Sequence, residues 1–278
     1  MRHPVLRPVL ALIVAILVPA CGESGDTFIL PSTTGPSSGT LLAVTINNVL
    51  INVSSSQPAV ILSAVGLTGL GGGENIVGID YRPATGELFG ISTLSRMYQI
   101  FPTTGACVQI GPIGGFTLSG GAFGVDFNPT VDRIRVVSDL DQNLRLNPTS
   151  GVLAATDTSL AYAAGDPNSG MNPEIFASAY SNNVAGAVVT NLYAIDMALD
   201  ILVLQNPPNN GTLNTVGALG VDVMDISCFD IHSSGVAYAA LPVAGVTGLY
   251  TINLTTGAAT LVGTLGTGAL TRGMTVVP

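Results

Sequence analysis

The chain has 278 residues, among them 34 Gly and 17 Pro, no Trp, and only 9% charged side chains. Its eight basic residues are all Arg and stand against 17 acidic ones, for a net charge of −9; this excludes the basic stripe with which proteins grip nucleic acid. A hydrophobic fraction of 47% excludes a disordered chain, and short apolar runs cut by Gly, Pro, Asn and Thr predict an all-β protein.

The first predicted element is an export signal over residues 1–20. Arg2 and Arg7 form a positive start, and Val9 to Val18 is a ten-residue apolar core, too short to span a bilayer comfortably. The stretch "VPAC" follows, and Ala20 before Cys21 resembles a bacterial lipobox, in which the Cys is acylated. Pro19 departs from the usual pattern, and plain secretion is the alternative. Gly22 stands where that resemblance associates Asp with inner-membrane retention, so the expected address is the outer membrane of the bacterial envelope. Acyl chains would anchor firmly, because each buried CH₂ contributes about 0.8 kcal/mol. Residues 21–39 read as a flexible tether, rich in Gly, Ser, Thr and Pro.

From Leu41 onward the sequence repeats itself. The second unit is the clearest: "GIDYRP", "LFGIS", "MYQIF" and "CVQIG" are four short strand-like runs, separated by the turn phrases "PATG" and "PTTG". The third unit ("GVDFNP", "RIRVVSD", "NLRLNPTSG", "VLAAT") and the fifth ("CFDIHSSG", "VAYAALP", "GLYTINLTTG", "ATLVGTLG") keep the order. The fourth is worn, opening on "ASAYSN". The first has no opening phrase and begins at "LLAVTIN".

Opening phrases start at Gly78, Gly124, Ala177, Cys228 and Gly273, so they are separated by 46, 53, 51 and 45 residues. A four-stranded unit at this period predicts propeller blades. The last phrase, "GMTVVP", has no unit after it, while the first unit lacks an opening strand. Pairing these two ends predicts a five-bladed β-propeller over residues 40–278, closed by the C-terminal strand lying beside the N-terminal blade. Closure removes the exposed edges that an open array would keep. A β-sandwich does not explain the spare phrase, and a transmembrane barrel needs longer alternating strands and aromatic girdles.

By similarity to other propeller repeats, the opening phrase is the innermost strand. Alternation then places Ile79 and Tyr81, Val125 and Phe127, Phe229 and Ile231, and Met274 and Val276 on one apolar face. The other face carries Asp80 and Arg82, Asp126 and Asn128, Ala179 and Ser181, Asp230 and His232, and Thr275 and Val277. Three Asp at one repeat position can form a ring at the channel that holds a cation or orients a polar ligand. They can equally be structural, each accepting backbone N–H bonds from a neighbouring loop, and a position repeated in several blades favours this. Asp80, Arg82, Asp126, Asn128, Asp230 and His232 are the candidate ligand-binding residues on the channel face.

Outside the signal peptide, His232 is the one His, so catalytic zinc has no His or Cys cluster to rest on. Within the repeats there is no Gly-x-Ser-x-Gly elbow and no phosphate loop, so no catalytic residue is assigned. Arg133 and Arg135 share a strand face, read as surface ion pairing or as an anion-recognising pair. "DLDQN" at Asp139 and "DPNSG" at Asp166 begin like calcium loops, but Asx turns explain both more simply. No cofactor is expected beyond such a calcium. Cys107 and Cys228 read as two buried thiols rather than a disulfide.

The phrases "VGIDYRPATGELFGI", "FGVDFNPTVDRIRVVSD", "QNLRLNPTSG", "QNPPNNGTLNTVGALGVD" and "LYTINLTTGAATLVG" together resemble the bacterial family termed domain of unknown function 4394 (DUF4394), over about Leu41 to Pro278. The resemblance implies exported proteins with propeller-like repeats and carries over no catalytic residue. Ala179 departs from the repeat's Asp, so a complete ring of Asp is not expected.

The reading that joins these features is a lipid-anchored, non-enzymatic propeller presenting a binding surface in the cell envelope. It would be monomeric, touch the membrane through its lipid alone, and bind a protein or small molecule. The rival is a metal-assisted hydrolase or lactonase-like propeller, using Asp80, Asp126, Asp230 and His232 around a cation.

Overall fold

The computed structural model describes residues 39–278. The predicted signal peptide, Cys21 and the tether up to residue 38 lie outside these residues. No helix among the described residues is long and apolar enough to cross a membrane, which says nothing of strands.

The predicted runs appear as strands in the predicted order. The first blade holds β1 (Thr40–Thr45), β2 (Val49–Ser54) and β3 (Gln57–Gly66). The second is β4 (Ile76–Tyr81), β5 (Leu88–Ser92), β6 (Met97–Phe101) and β7 (Ala106–Ile110); the third is β8 (Phe123–Asn128), β9 (Arg133–Ser138), β10 (Asn143–Asn147) and β11 (Val152–Thr156). A two-residue strand, β12 (Ala161–Tyr162), precedes the fourth blade of β13 (Ile175–Tyr180), β14 (Leu192–Asp196), β15 (Ile201–Gln205) and β16 (Thr212–Ala218). The fifth is β17 (Cys228–Ile231), β18 (Ala237–Val243), β19 (Val246–Ile252) and β20 (Ala259–Thr264), and β21 (Thr271–Val276) ends the chain.

Five sheets result. Four are four-stranded; the fourth blade has a fifth strand because β12 pairs in parallel with β16 on its outer side. The sheet of the first blade has the order β21-β1-β2-β3. Leu41 pairs with Val276 and Ala43 with Met274, so the strand missing from the first unit is supplied from the other end of the chain. The molecule is an all-β, five-bladed propeller closed by this head-to-tail pairing.

Each opening phrase is an innermost strand. β21 packs beside β4, β4 beside β8, β8 beside β13, β13 beside β17 and β17 beside β21, which closes the circle. The crowding at the axis explains the Gly that opens three of the phrases. A Cβ on Gly78 would lie 2.4 Å from Val125 Cγ2, and one on Gly124 would lie 2.6 Å from the backbone N of Ser178. Only a residue without a side chain lets the innermost strands approach so closely.

The apolar alternation predicted from sequence fills the spaces between blades. Ile51, Met274 and Val276 of the first blade pack with Cys228, Tyr238 and Leu249 of the fifth. Phe89, Ile91 and Met97 of the second pack with Val125, Phe127 and Ile134 of the third, with the Phe89 and Phe127 rings edge to face at 5.2 Å. Such contacts exclude water along every seam, and each fully buried side chain of this size contributes about 1.5–3 kcal/mol. Backbone bonds add to the seams: Thr68 N–H donates to Gly105 O at 2.9 Å, and Gly266 N–H to Pro58 O at 2.7 Å.

Candidate functional site

Asp80, Asp126 and Asp230 sit at equivalent places on β4, β8 and β17. The structure brings them together: one carboxylate oxygen from each lies within 4.8 Å of the others. All three are buried, with no more than 2% of their surface exposed. They meet because the innermost strands converge on the axis and the third residue of each opening phrase points inward.

The bonding around them repeats from blade to blade. Asp80 Oδ2 accepts the Phe127 N–H at 2.7 Å, Asp126 Oδ1 accepts the Tyr180 N–H at 3.1 Å, and Asp230 Oδ2 accepts the Val276 N–H at 2.6 Å. In every case the donor follows the equivalent axial residue of the next blade. Innermost strands of neighbouring blades share no ladder, so these carboxylates latch them together. The sequence reading expected donors from a neighbouring loop; they come from the neighbouring strand. Asp80 Oδ1 and Asp230 Oδ1 also accept the N–H of the following residue in their own strands, at 2.7 and 2.6 Å.

Two features of the cluster go beyond latching. Thr275 Oγ1 lies 3.0 Å from Asp80 Oδ1 and 2.9 Å from Asp230 Oδ2. A hydroxyl has one proton and cannot donate fully to two carboxylates at once. Asp126 Oδ2 is buried and has no hydrogen-bond partner among the described residues. Burial disfavours the charged form of all three groups. It is the main cause raising the Asp80 carboxyl well above its ordinary range, reinforced by the nearby Asp230. Asp126 is raised in the same way by burial and then by Asp80 and Asp230. Burial also raises Asp230, against the opposing bonds from Val276, Thr275 and Ile231 and the charge of His232.

The other three candidates do not join the cluster. Arg82 follows the end of β4 and turns to Asp132 in the next blade, with Nε 2.8 Å from Oδ1. Asn128 ends β8, and its Oδ1 accepts from the backbone and hydroxyl of Thr130 in an Asx turn. The ring of His232 meets the Ser234 hydroxyl at 2.7 Å in an exposed turn. All three stand two residues beyond the axial position, where the strands give way to turns and diverge from the axis.

The remaining sequence candidates have structural surroundings. Arg135 is buried and reaches Tyr180, Asn143, Asp157 and Asn209, joining the third and fourth blades, so it is neither a surface ion pair nor half of an exposed anion clamp. Asp139 Oδ1 accepts the Gly121 and Ala122 N–H groups. Asp166 accepts from Asn168 and from the backbone and hydroxyl of Thr215, an Asx turn tied to β16. Cys107 and Cys228 are free buried thiols, and burial pushes them up to about 11 and about 12. Sequence reasoning passed over Thr275 as a partner of the carboxylates. Its position in the terminal phrase was the available signal.

Two openings flank the cluster along the axis. A pit of about 10 Å³, lined by residues just before the axial positions, lies where the innermost strands begin. A depression of about 230 Å³, lined by Tyr81, Pro83, Gly86, Asn183, Val184, Ala185, Ser233 and Pro278, lies where they end.

No curated protein matches the sequence. The crystal structure of glutaminyl cyclase from Myxococcus xanthus aligns with a TM-score of 0.49 at 12% identity, covering 83% of each chain. A structural genomics protein of unknown function from Bacteroides thetaiotaomicron aligns with a TM-score of 0.52 at 17% identity, over 84% of this chain and 62% of that one. At 17% identity the second alignment speaks to fold alone. The match to a family, in contrast, runs over residues 49–275, from β2 of the first blade into the closing strand. The chain belongs to the family described as domain of unknown function (DUF4394).

Proposed function

We propose that this protein is a non-catalytic propeller, lipid-anchored at Cys21 in the bacterial outer membrane, that binds a protein segment or small molecule at the axial end where its innermost strands finish. The observation that carries this reading is the 230 Å³ depression there, whose lining comes from the first, second, fourth and fifth blades. Concave sites with mostly apolar walls and a few polar groups are where proteins take small ligands or single side chains. Tyr81, Pro83, Val184 and Pro278 supply apolar wall, Asn183 and Ser233 the polar groups. Beside it the β13–β14 connection exposes Val188 and Val189, at 88% and 68%. The acylation reading rests on "VPAC" and the apolar run before it.

The hydrolase reading needs a substrate at the carboxylates. They are buried, the pit beside them has room for about one water, and His232 faces Ser234 in a turn.

One preparation tests both parts of the proposal. Cys21→Ser is expected to move the protein from membranes to the soluble fraction. Methyl-labelled protein of that kind, screened by NMR against sugars, short peptides and aromatic fragments, is expected to show shifts clustered at Val184, Ala185 and Val188. Shifts clustered elsewhere, or turnover of a fragment, would overturn the binding reading; unchanged membrane association would overturn the anchor.

A further inference from the structure

We propose that Asp80, Asp126 and Asp230 form a metal site on the propeller axis that takes one hard divalent cation, Ca²⁺ in the first instance, tying the second, third and fifth blades to one ion. This is independent of the ligand proposed for the axial depression.

Charge is the first argument. Three carboxylates converge, yet no Arg pairs with any of them. The ion pairs among the described residues are Arg82–Asp132, Arg96–Glu74, Arg135–Asp157 and Arg145–Asp157. Buried charges are paired or coordinate metals. One dication would offset two of the three charges.

The second argument is the unpartnered Asp126 Oδ2. Asp80 and Asp230 each use both oxygens as acceptors, but Asp126 uses only Oδ1 and keeps Oδ2 free inside the protein. A buried acceptor left without a partner is costly, the more so when it is charged. A cation supplies the missing partner, and coordination would also satisfy whichever of the Asp80 and Asp230 oxygens the single Thr275 proton leaves unmet.

Donor type and hydration choose the ion. All candidate ligand atoms are oxygens, which suits hard cations such as Ca²⁺ and Mg²⁺. One carboxylate oxygen from each Asp lies within 4.8 Å of the other two. Ca²⁺ accepts flexible sets of oxygens, whereas Mg²⁺ dehydrates reluctantly and keeps several waters. The pit beside the cluster could admit about one water as a further ligand. Its lining includes Ser178, Ser227 and Arg272; the two buried hydroxyls and the Arg272 Nε have no hydrogen-bond partners among the described residues.

The test uses the full chain, purified without chelator. Elemental analysis should find one equivalent of divalent metal per chain. After EDTA, the melting temperature should fall, and Ca²⁺ at about 100-fold over its Kd should restore roughly 5–10 °C. Mg²⁺ and Zn²⁺, titrated in parallel, should bind at least tenfold more weakly. Asp126→Asn keeps the acceptor for the Tyr180 N–H and should lose both the metal and the Ca²⁺-dependent shift. A metal-free protein whose melting ignores EDTA and Ca²⁺ would overturn the proposal, and so would Asp126→Asn that keeps the full shift. If that variant does not fold, the response of the unsubstituted protein decides.

Discussion

A carboxylate in this protein takes its character from the donors around it, and Glu74 shows this away from the axis. It is buried just before β4. Its Oε2 accepts from the Gly71 N–H at 2.7 Å, the Tyr98 hydroxyl at 2.9 Å and Arg96 at 3.1 Å, and Oε1 accepts from the Ser92 hydroxyl. Burial alone would raise its pKa; the bonds from Ser92, Gly71 and Tyr98 and the charge of Arg96 outweigh it and hold the carboxyl below the ordinary 4.5. A native value below the unfolded one means stabilisation that is complete above the unfolded pKa and lost as pH falls through the native one. Glu74→Gln should therefore cost about 1–3 kcal/mol at pH 7, and the deficit should shrink on acidification below 4.5. Urea denaturation across pH 3 to 7 measures this; a deficit that stays constant would contradict the account. The axial trio differs because like charges meet with no Arg among them. Sequence alone showed three Asp at one repeat position, and period-two alternation placed them on a common face. It could not show that Arg82, Asn128 and His232 leave that face, because alternation holds only while a strand continues and each of them sits at a strand's end.

At the level of elements, nearly every strand was legible, since each is a short apolar run bounded by Gly, Pro or Asn. β12 was not, because two residues carry no period and its pairing with β16 crosses some 50 positions. The worn fourth unit still forms a full blade. Burial of Ile175, Ala177, Ala179 and Tyr180 keeps β13 at the axis although Ala179 replaces the latching Asp. The element with most at stake is β21. It buries Met274 and Val276, pairs with β1, and receives the latch from Asp230 at the Val276 N–H. A stop codon after Leu270 removes all three at once. That chain should lose its cooperative melting transition and aggregate, as read by circular dichroism and size-exclusion chromatography. A truncated protein that melts like the full one would show that β21 is dispensable.

For the molecule as a whole, closure is what makes five marginal sheets one stable body. A single four-stranded blade cannot bury both of its faces, so each depends on two neighbours, and the ring gives every blade both. The closure was readable because the chain carries one opening phrase too many at its end and one too few at its start. What the sequence withheld was depth: it placed the Asp residues at a channel, whereas the converging strands bury them inside a hub. The most direct test is an engineered disulfide between Ala43→Cys and Met274→Cys in a chain carrying Cys228→Ala, since Ala43 and Met274 are paired across β1 and β21. On mild oxidation the account predicts that the two positions link within one chain. No link between chains should form, and the linked peptides should be found by mass spectrometry. Free thiols at both positions, or a link only between chains, would contradict a ring sealed by its own two ends.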